Sequence, residues 1–183
     1  MGEKLNVLED FYPLLHPKVA TLVAVRGEDG SSNFMACAWC MPVSEEPPMV
    51  ALAIGKGSYT LQLIQETREF TINIPTKDLL RAVWVAGTRS GRRTDKWKTA
   101  KLTPGNAREV QAPIIRECVA HLECRLVEMH EVGECVLLIA EVVAAYADND
   151  LYEEYWKENT PLLLHVGGRY FTTPSRYFTP RRR

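Results

Sequence analysis

KVATLVAVRGEDGSSNFMACAWCMPVSEEPP, residues 18–48, decides the fold. Residues 18–26 are β-branched and apolar enough for a strand, and Glu28-Asp29-Gly30 supplies turn chemistry that sends the chain back antiparallel through residues 32–41. Pro47-Pro48 breaks the second strand, because proline has no N–H to give to a ladder. MVALAIG, residues 49–55, follows as a third strand apolar on both faces.

Working outward, Ser58 is placed as the N-cap of a helix over YTLQLIQET, whose Leu61 and Ile64 lie three apart. EFTINIP reads as a strand. Residues 77–86 have helical spacing, with Gly87 expected to stop the helix in a left-handed conformation. IIRECVAHLECRLVEMH and ECVLLIAEVVAAYA read as two long paired strands turning at Glu131-Val132-Gly133. LYEEYWKEN reads as a short surface helix and PLLLHVGGRYF as a last strand with a Gly-Gly break, before a frayed RRR tail. Mostly antiparallel strands with short helices favour a small closed barrel, mainly β and Greek-key-like, over a doubly wound sheet. No Gly-x-Gly-x-x-Gly opens a helix, which argues against a Rossmann domain.

The 183 residues, 46% of them apolar, form one domain by this reading, with a core over about 10–147 and a C-terminal helix, strand and tail over 148–183. No apolar run approaches a membrane span, and MGEKLNVLED lacks a signal-peptide pattern, so a soluble cytoplasmic protein is expected. A formal charge of -1 gives no global attraction to nucleic acid or membrane. Five irregularly spaced cysteines argue for reduced thiols rather than a disulfide framework.

Cys37-Ala-Trp-Cys40 and Cys118-x2-His121-x2-Cys124 invite redox or zinc readings. Both are rejected on geometry. In an extended strand residues three apart face opposite ways, so neither set converges on one ion or bond. The anion chemistry lies elsewhere. Thr88–Lys98 gathers five cations and three hydroxyls around a glycine, and Lys56, Ser58 and Thr60 open a helix whose free N–H groups attract negative charge. Ser31, Ser32, Asn33 and Ser44 bracket the neighbouring strand. Together they suit a ligand with a phosphate end and an aromatic body. No catalytic triad or carboxylate pair is apparent.

The ordered set His16-Pro17, Asp29-Gly30, Asn33, Trp39, Val43-Ser44, Pro47-Pro48, Thr60, Glu69-Phe70, Asn73-Ile74-Pro75, Ser90-Gly91, Asp95-Lys96, Ala112-Pro113 and Glu123-Cys124 resembles the flavin reductase-like family, especially its flavoredoxin and ferric reductase branch. The resemblance implies an FMN-binding split β-barrel, a homodimer with the flavin near the subunit interface, and NAD(P)H as electron donor. It puts Asn33, Met35, Ala36, Cys37 and Ser44 beside the ring or ribityl chain, and Lys56, Ser58, Thr60, Ser90 and Lys96 at the phosphate. No catalytic side chain is assigned, because the flavin performs the chemistry. The implied activity is reduction of free flavin, ferric complexes or a partner protein. The alternative is a flavoredoxin-like electron carrier not reduced by nicotinamide.

Overall fold

The first hairpin forms where its turn residues demand it. Gly30 takes φ +80°, and the Asp29 carboxylate accepts the Ser31 N–H at 2.9 Å. This computed structural model describes residues 2–180, so the expectation for the arginine tail lies outside the described residues. Strands β1 (Lys18–Val19) and β2 (Thr21–Arg26) are separate: at Ala20 the backbone turns to Leu163, and β1 leaves the barrel. Strand β3 (Ser32–Cys37) pairs with β2, and β4 (Cys40–Ser44) with β5 (Met49–Gly55). Helix α1 (Tyr59–Thr67) precedes β6 (Glu69–Ile74); α2 (Leu80–Thr88) and α3 (Lys96–Ala100) follow. After the short pair β7 (Pro104–Gly105) and β8 (Ile114–Ile115) come the long β9 (Ala120–Val132) and β10 (Cys135–Ala147), then β11 (Leu164–Gly167) and β12 (Tyr170–Thr172).

Seven strands form one antiparallel sheet in the order β3-β2-β6-β9-β10-β5-β4. Its two edges, β3 and β4, are consecutive in sequence and separated only by Ala38 and Trp39. Three residues reach about 10 Å at most, whereas the edges of a flat sheet of this width lie roughly 29 Å apart. The sheet therefore has to roll. It does not close: Trp39 O accepts the Ala53 N–H at 2.9 Å, but β3 and β4 share no ladder. The barrel is thus split, as the family resemblance implies and not closed as the strand pattern alone suggests, and the expected strand over 32–41 is two strands on either side of the split.

Alternation along β2 sorts the core. Val23 and Val25 point into the barrel with Leu52, Phe70, Leu126 and Leu138, while α1 seals one end with Leu61 and Ile64. Leu22 and Ala24 point outward, where Ala82, Val83 and Ala86 of α2 cover them with Ile115 and Leu163. Both faces of β2 are buried for this reason, and a period of two survives beneath a uniformly apolar run.

Three local expectations are corrected. Helix α2 runs through Gly87 and ends at Arg89 in extended conformation, because the Arg89 N–H still finds Val85 O and no left-handed residue is required. LYEEYWKEN is not a helix: Tyr152 and Trp156 bridge across a turn, the Lys157 N–H donates to Leu151 O, and Lys157 Nζ binds Asn149 O at 2.8 Å. Leu151, Tyr152, Tyr155 and Trp156 lie at helical spacing, but so short a segment gains too little from helical packing to outweigh these contacts. The last strand is a hairpin, β11–β12, folded at Gly167 and Gly168 and added to β1.

Glu123 of β9 is completely buried and fastens the 106–111 loop. Its carboxylate accepts the N–H groups of Arg108, Glu109 and Val110 and the Tyr146 hydroxyl. Burial disfavours the charge, but these donors outweigh it and hold the carboxyl below its ordinary value. Its stabilisation is therefore present above the ordinary carboxylate range and lost as pH falls through the lowered pKa. Urea unfolding of Glu123→Gln at pH 7 is expected to show a loss of about 2 kcal/mol, shrinking as the pH is lowered into the acid range. An unchanged midpoint contradicts this account.

Candidate functional site

Two adjoining hollows run between β3 and α2. Both are lined by Ala36, Gly87 and Thr88, so they form one groove. The polar end, ≈ 510 Å³, is walled by Met35, Ser58, Thr60, Arg89, Ser90 and Lys96. The apolar end, ≈ 580 Å³, is walled by Cys37, Val83, Trp84, His165 and Phe171, with Arg169 at its rim. No carboxylate lines either end.

The polar end is built by three supports. Asn33, buried on β3, donates its amide to Thr60 Oγ1 at 2.9 Å, which leaves the threonine hydroxyl proton free to face the hollow. A Cβ at Gly91 would overlap the Asn33 side chain, so glycine is what lets the 89–95 loop approach β3. Arg92 anchors that loop to the start of α1, donating to Gly57 O at 3.1 Å and Gln62 Oε1 at 2.9 Å above the Tyr59 ring. Ser58 occupies the N-cap position, but its hydroxyl turns to Met35 Sδ at 3.4 Å and makes no cap bond. The first-turn N–H groups of α1 are consequently available to an anion.

Asp95 caps α3 by accepting the Lys98 N–H, which sets Lys96 on the first turn facing inward. Lys96 is 5% exposed, and its ammonium donates to Phe34 O on β3 at 2.7 Å and to Ala86 O on α2 at 3.1 Å. None of the ion pairs among the described residues involves it. Burial pulls its pKa down to about 8.

Of the ten anticipated residues, Met35, Ala36, Ser58, Thr60, Ser90 and Lys96 line the polar hollow, Cys37 lines the apolar one, and Asn33 supports them from beneath. Two are not brought there. Ser44 ends β4 across the split, paired with Met49, and Lys56 turns away to Glu131 Oε2 at 2.7 Å. Arg89 and Gly91 lie inside the basic segment but were not singled out as contacts. Trp84, His165, Arg169 and Phe171 carry no local signal, since the pairing of β1 with β11 delivers the last three.

The thiol clusters have other environments. Burial pushes the Cys37 and Cys40 thiols up to about 11 and about 12, which leaves both protonated and poorly nucleophilic near neutral pH. Cys124 packs inside the barrel, whereas His121 donates from Nδ1 to Asn73 Oδ1 at 2.8 Å and is held neutral by burial, its pKa lowered to about 4.

Hydroxyls, free helix N–H groups and a buried ammonium at one end of an apolar slot fit a planar heterocycle bearing a phosphomonoester. A split barrel with such a groove defines a flavin-binding class of fold. The chain belongs to the flavin reductase-like family: the model of the flavin reductase like domain matches residues 15–174. Among relatives, an Archaeoglobus fulgidus protein is 36% identical over 175 residues, 95% of this chain and 96% of its own. The flavin reductase (NADH) of Kitasatospora aureofaciens is 29% identical over 70% of this chain and 65% of its own. Among solved structures, an FMN-binding protein from Thermus thermophilus with bound p-hydroxybenzaldehyde superposes with TM-score 0.86 at 26% identity, covering 98% of this chain and 99% of that one. Flavoredoxin from Methanosarcina acetivorans does so with TM-score 0.87 at 26% identity, covering 98% and 95%.

Gly91→Ala is expected to displace Asn33 from Thr60 and to cost about 1–3 kcal/mol of stability through overpacking, measured by denaturant unfolding. A neutral substitution shows that the loop does not need this close approach.

Proposed function

We propose that this chain is an FMN-dependent oxidoreductase that takes electrons from NAD(P)H and passes them to free flavin, ferric complexes or a partner protein. The observation that supports it most is the single groove with a cationic, hydroxyl-lined pole running into an apolar slot between β3 and α2. Similarity to an FMN-binding protein and to an NADH-dependent flavin reductase points the same way.

In this reading the α1 N–H groups, Thr60, Ser58, Ser90 and Lys96 hold the phosphate, and the β3 backbone with Ala36, Cys37 and Trp84 flanks the ring. Bound flavin supplies hydride acceptance and onward electron transfer, so the chain needs no acid or base of its own. Its residues position the ring, keep water from its buried edge and leave one side of the slot open. His165, whose Nε2 lies 3.1 Å from Gly168 O, and Phe171 cover the slot from the β11–β12 hairpin.

The similarity to flavoredoxin favours a second reading, an electron carrier that holds FMN but is not reduced by nicotinamide. Stopped-flow mixing of the FMN-loaded protein with NADH and with NADPH separates the two. Rapid bleaching of the flavin's visible absorbance is expected; slow bleaching by both nucleotides, beside rapid reduction by a redox protein, selects the carrier. A chain that takes up no FMN contradicts both.

The protein is further proposed to work as a homodimer in the cytoplasm. No described helix is long and apolar enough to cross a membrane, and all five cysteines are free thiols, as a reducing compartment keeps them. Trp39, Met41 and Val43 expose apolar surface along edge strand β4, beside a hollow of ≈ 670 Å³ that Met41, Pro42, Tyr152 and Trp156 help to line. Such an edge is shielded most simply by a second copy. Light scattering on a sizing column is expected to give twice the chain mass, and Met41→Glu with Val43→Glu to give the monomer. A monomeric parent protein removes this part of the reading.

A further inference from the structure

Lys96 combines features that a purely structural lysine does not need. Its ammonium is buried, it bridges the two walls of the groove through backbone carbonyls, and it lines the polar hollow itself. Two of its three protons are used by Phe34 O and Ala86 O, leaving one donor without a protein partner. A buried ammonium held only by neutral oxygens is poorly compensated, and an anion placed beside it recovers much of the cost.

We propose that Lys96 is the counter-charge of the site, so that binding of a phosphomonoester ligand draws a proton onto this residue. The inference rests on the flavin reading above and adds a proton to the binding equilibrium.

The surroundings leave few competitors. Asp95 is the sole carboxylate on β3, α2, α3 and the loop between them, and it is exposed and engaged with the Lys98 N–H. On β3 the one titratable group is Cys37, whose thiol ionises well above neutrality. On α2 it is Arg81, which is exposed. The loop contributes Arg89 at the polar hollow, the exposed Arg93, and Arg92, committed to Gly57 and Gln62. Tyr59 and Lys56 stand at the start of α1, the latter paired with Glu131, and Lys98 of α3 is exposed. None supplies a negative charge to Lys96. A phosphomonoester, with its second pKa near 6, is already dianionic above pH 7 and does not titrate in the same window.

In the free groove Lys96 loses its proton as pH rises through about 8. In the complex the adjacent dianion keeps it charged to higher pH. Affinity is then full below the free-state value and falls as pH rises through it, by about tenfold between pH 7 and pH 9.

FMN binding is followed by fluorescence quenching from pH 7 to 9, and by calorimetry at pH 8 in two buffers of different ionisation heat. The expected results are an approximately tenfold rise in Kd and an uptake of about half a proton per FMN. Riboflavin, which lacks the phosphate, is expected to show neither, and the same trend with riboflavin overturns the phosphate as the partner. Lys96→Arg keeps a charge that does not titrate, so its FMN affinity is expected to be independent of pH. A variant that retains the tenfold dependence overturns the assignment. Should that variant fail to fold, the calorimetry of the unaltered protein still decides. FMN binding without proton uptake sinks the role of Lys96 alone, whereas no FMN binding at any pH sinks the flavin reading and this inference with it.

Discussion

The short link between the two edge strands governs the rest of the structure. Ala38 and Trp39 are all that separates β3 from β4, which stand at opposite ends of a seven-stranded ladder. The backbone cannot span a flat sheet of that width, so the sheet rolls until its edges approach. Rolling makes an interior for Val23, Leu52, Phe70 and Leu138 and turns the other face of β2 outward to α2. The unsealed line between β3 and β4 keeps β3 free of a second strand partner. A groove with a backbone wall follows from that one constraint.

The groove is asymmetric because its ends are assembled from different parts of the chain. The polar end depends on local devices: the open N-terminus of α1, a glycine at 91 that admits Asn33, and a five-residue helix capped by Asp95 that turns Lys96 inward. The apolar end depends on long-range pairing, since β1 must leave the barrel at Ala20 to receive β11 and bring His165 and Phe171 over α2. Lys96 joins the ends mechanically, holding β3 and α2 together through Phe34 O and Ala86 O, while the Trp97 ring packs tilted against Phe34, centroids 4.6 Å apart, and donates to Ser32 O. In the proposed function the chemistry left to the protein is positioning and charge compensation.

Local signals carried much of this into the sequence. Asp29-Gly30 announced the first hairpin, the apolar runs announced β5, β9 and β10, and the clusters at 56–60 and 88–98 announced Ser58, Thr60, Ser90 and Lys96, which line the polar hollow. What failed locally failed for identifiable reasons. Gly87 resembles a helix stop, yet Val85 O still accepts the Arg89 N–H, so the helix continues past it. LYEEYWKEN resembles a helix, yet its backbone is held by Leu151 O and its Lys157 by Asn149 O, contacts that no periodicity reports. Lys56 looked like a phosphate ligand beside Ser58, but Glu131 at the tip of the β9–β10 hairpin takes its ammonium.

By itself, the order of residues determined an antiparallel, mainly β chain with short helices, and the residue types that line the groove's polar end, because turn chemistry, alternation and capping act within a few residues. Tertiary structure alone decided that Ser44 and Lys56 stand away from the groove and that His165, Arg169 and Phe171 reach it. Those outcomes depend on which distant strands pair and on which carboxylate the Lys56 ammonium meets. Both are set by the closure of the whole sheet in space and by no local stretch of chain.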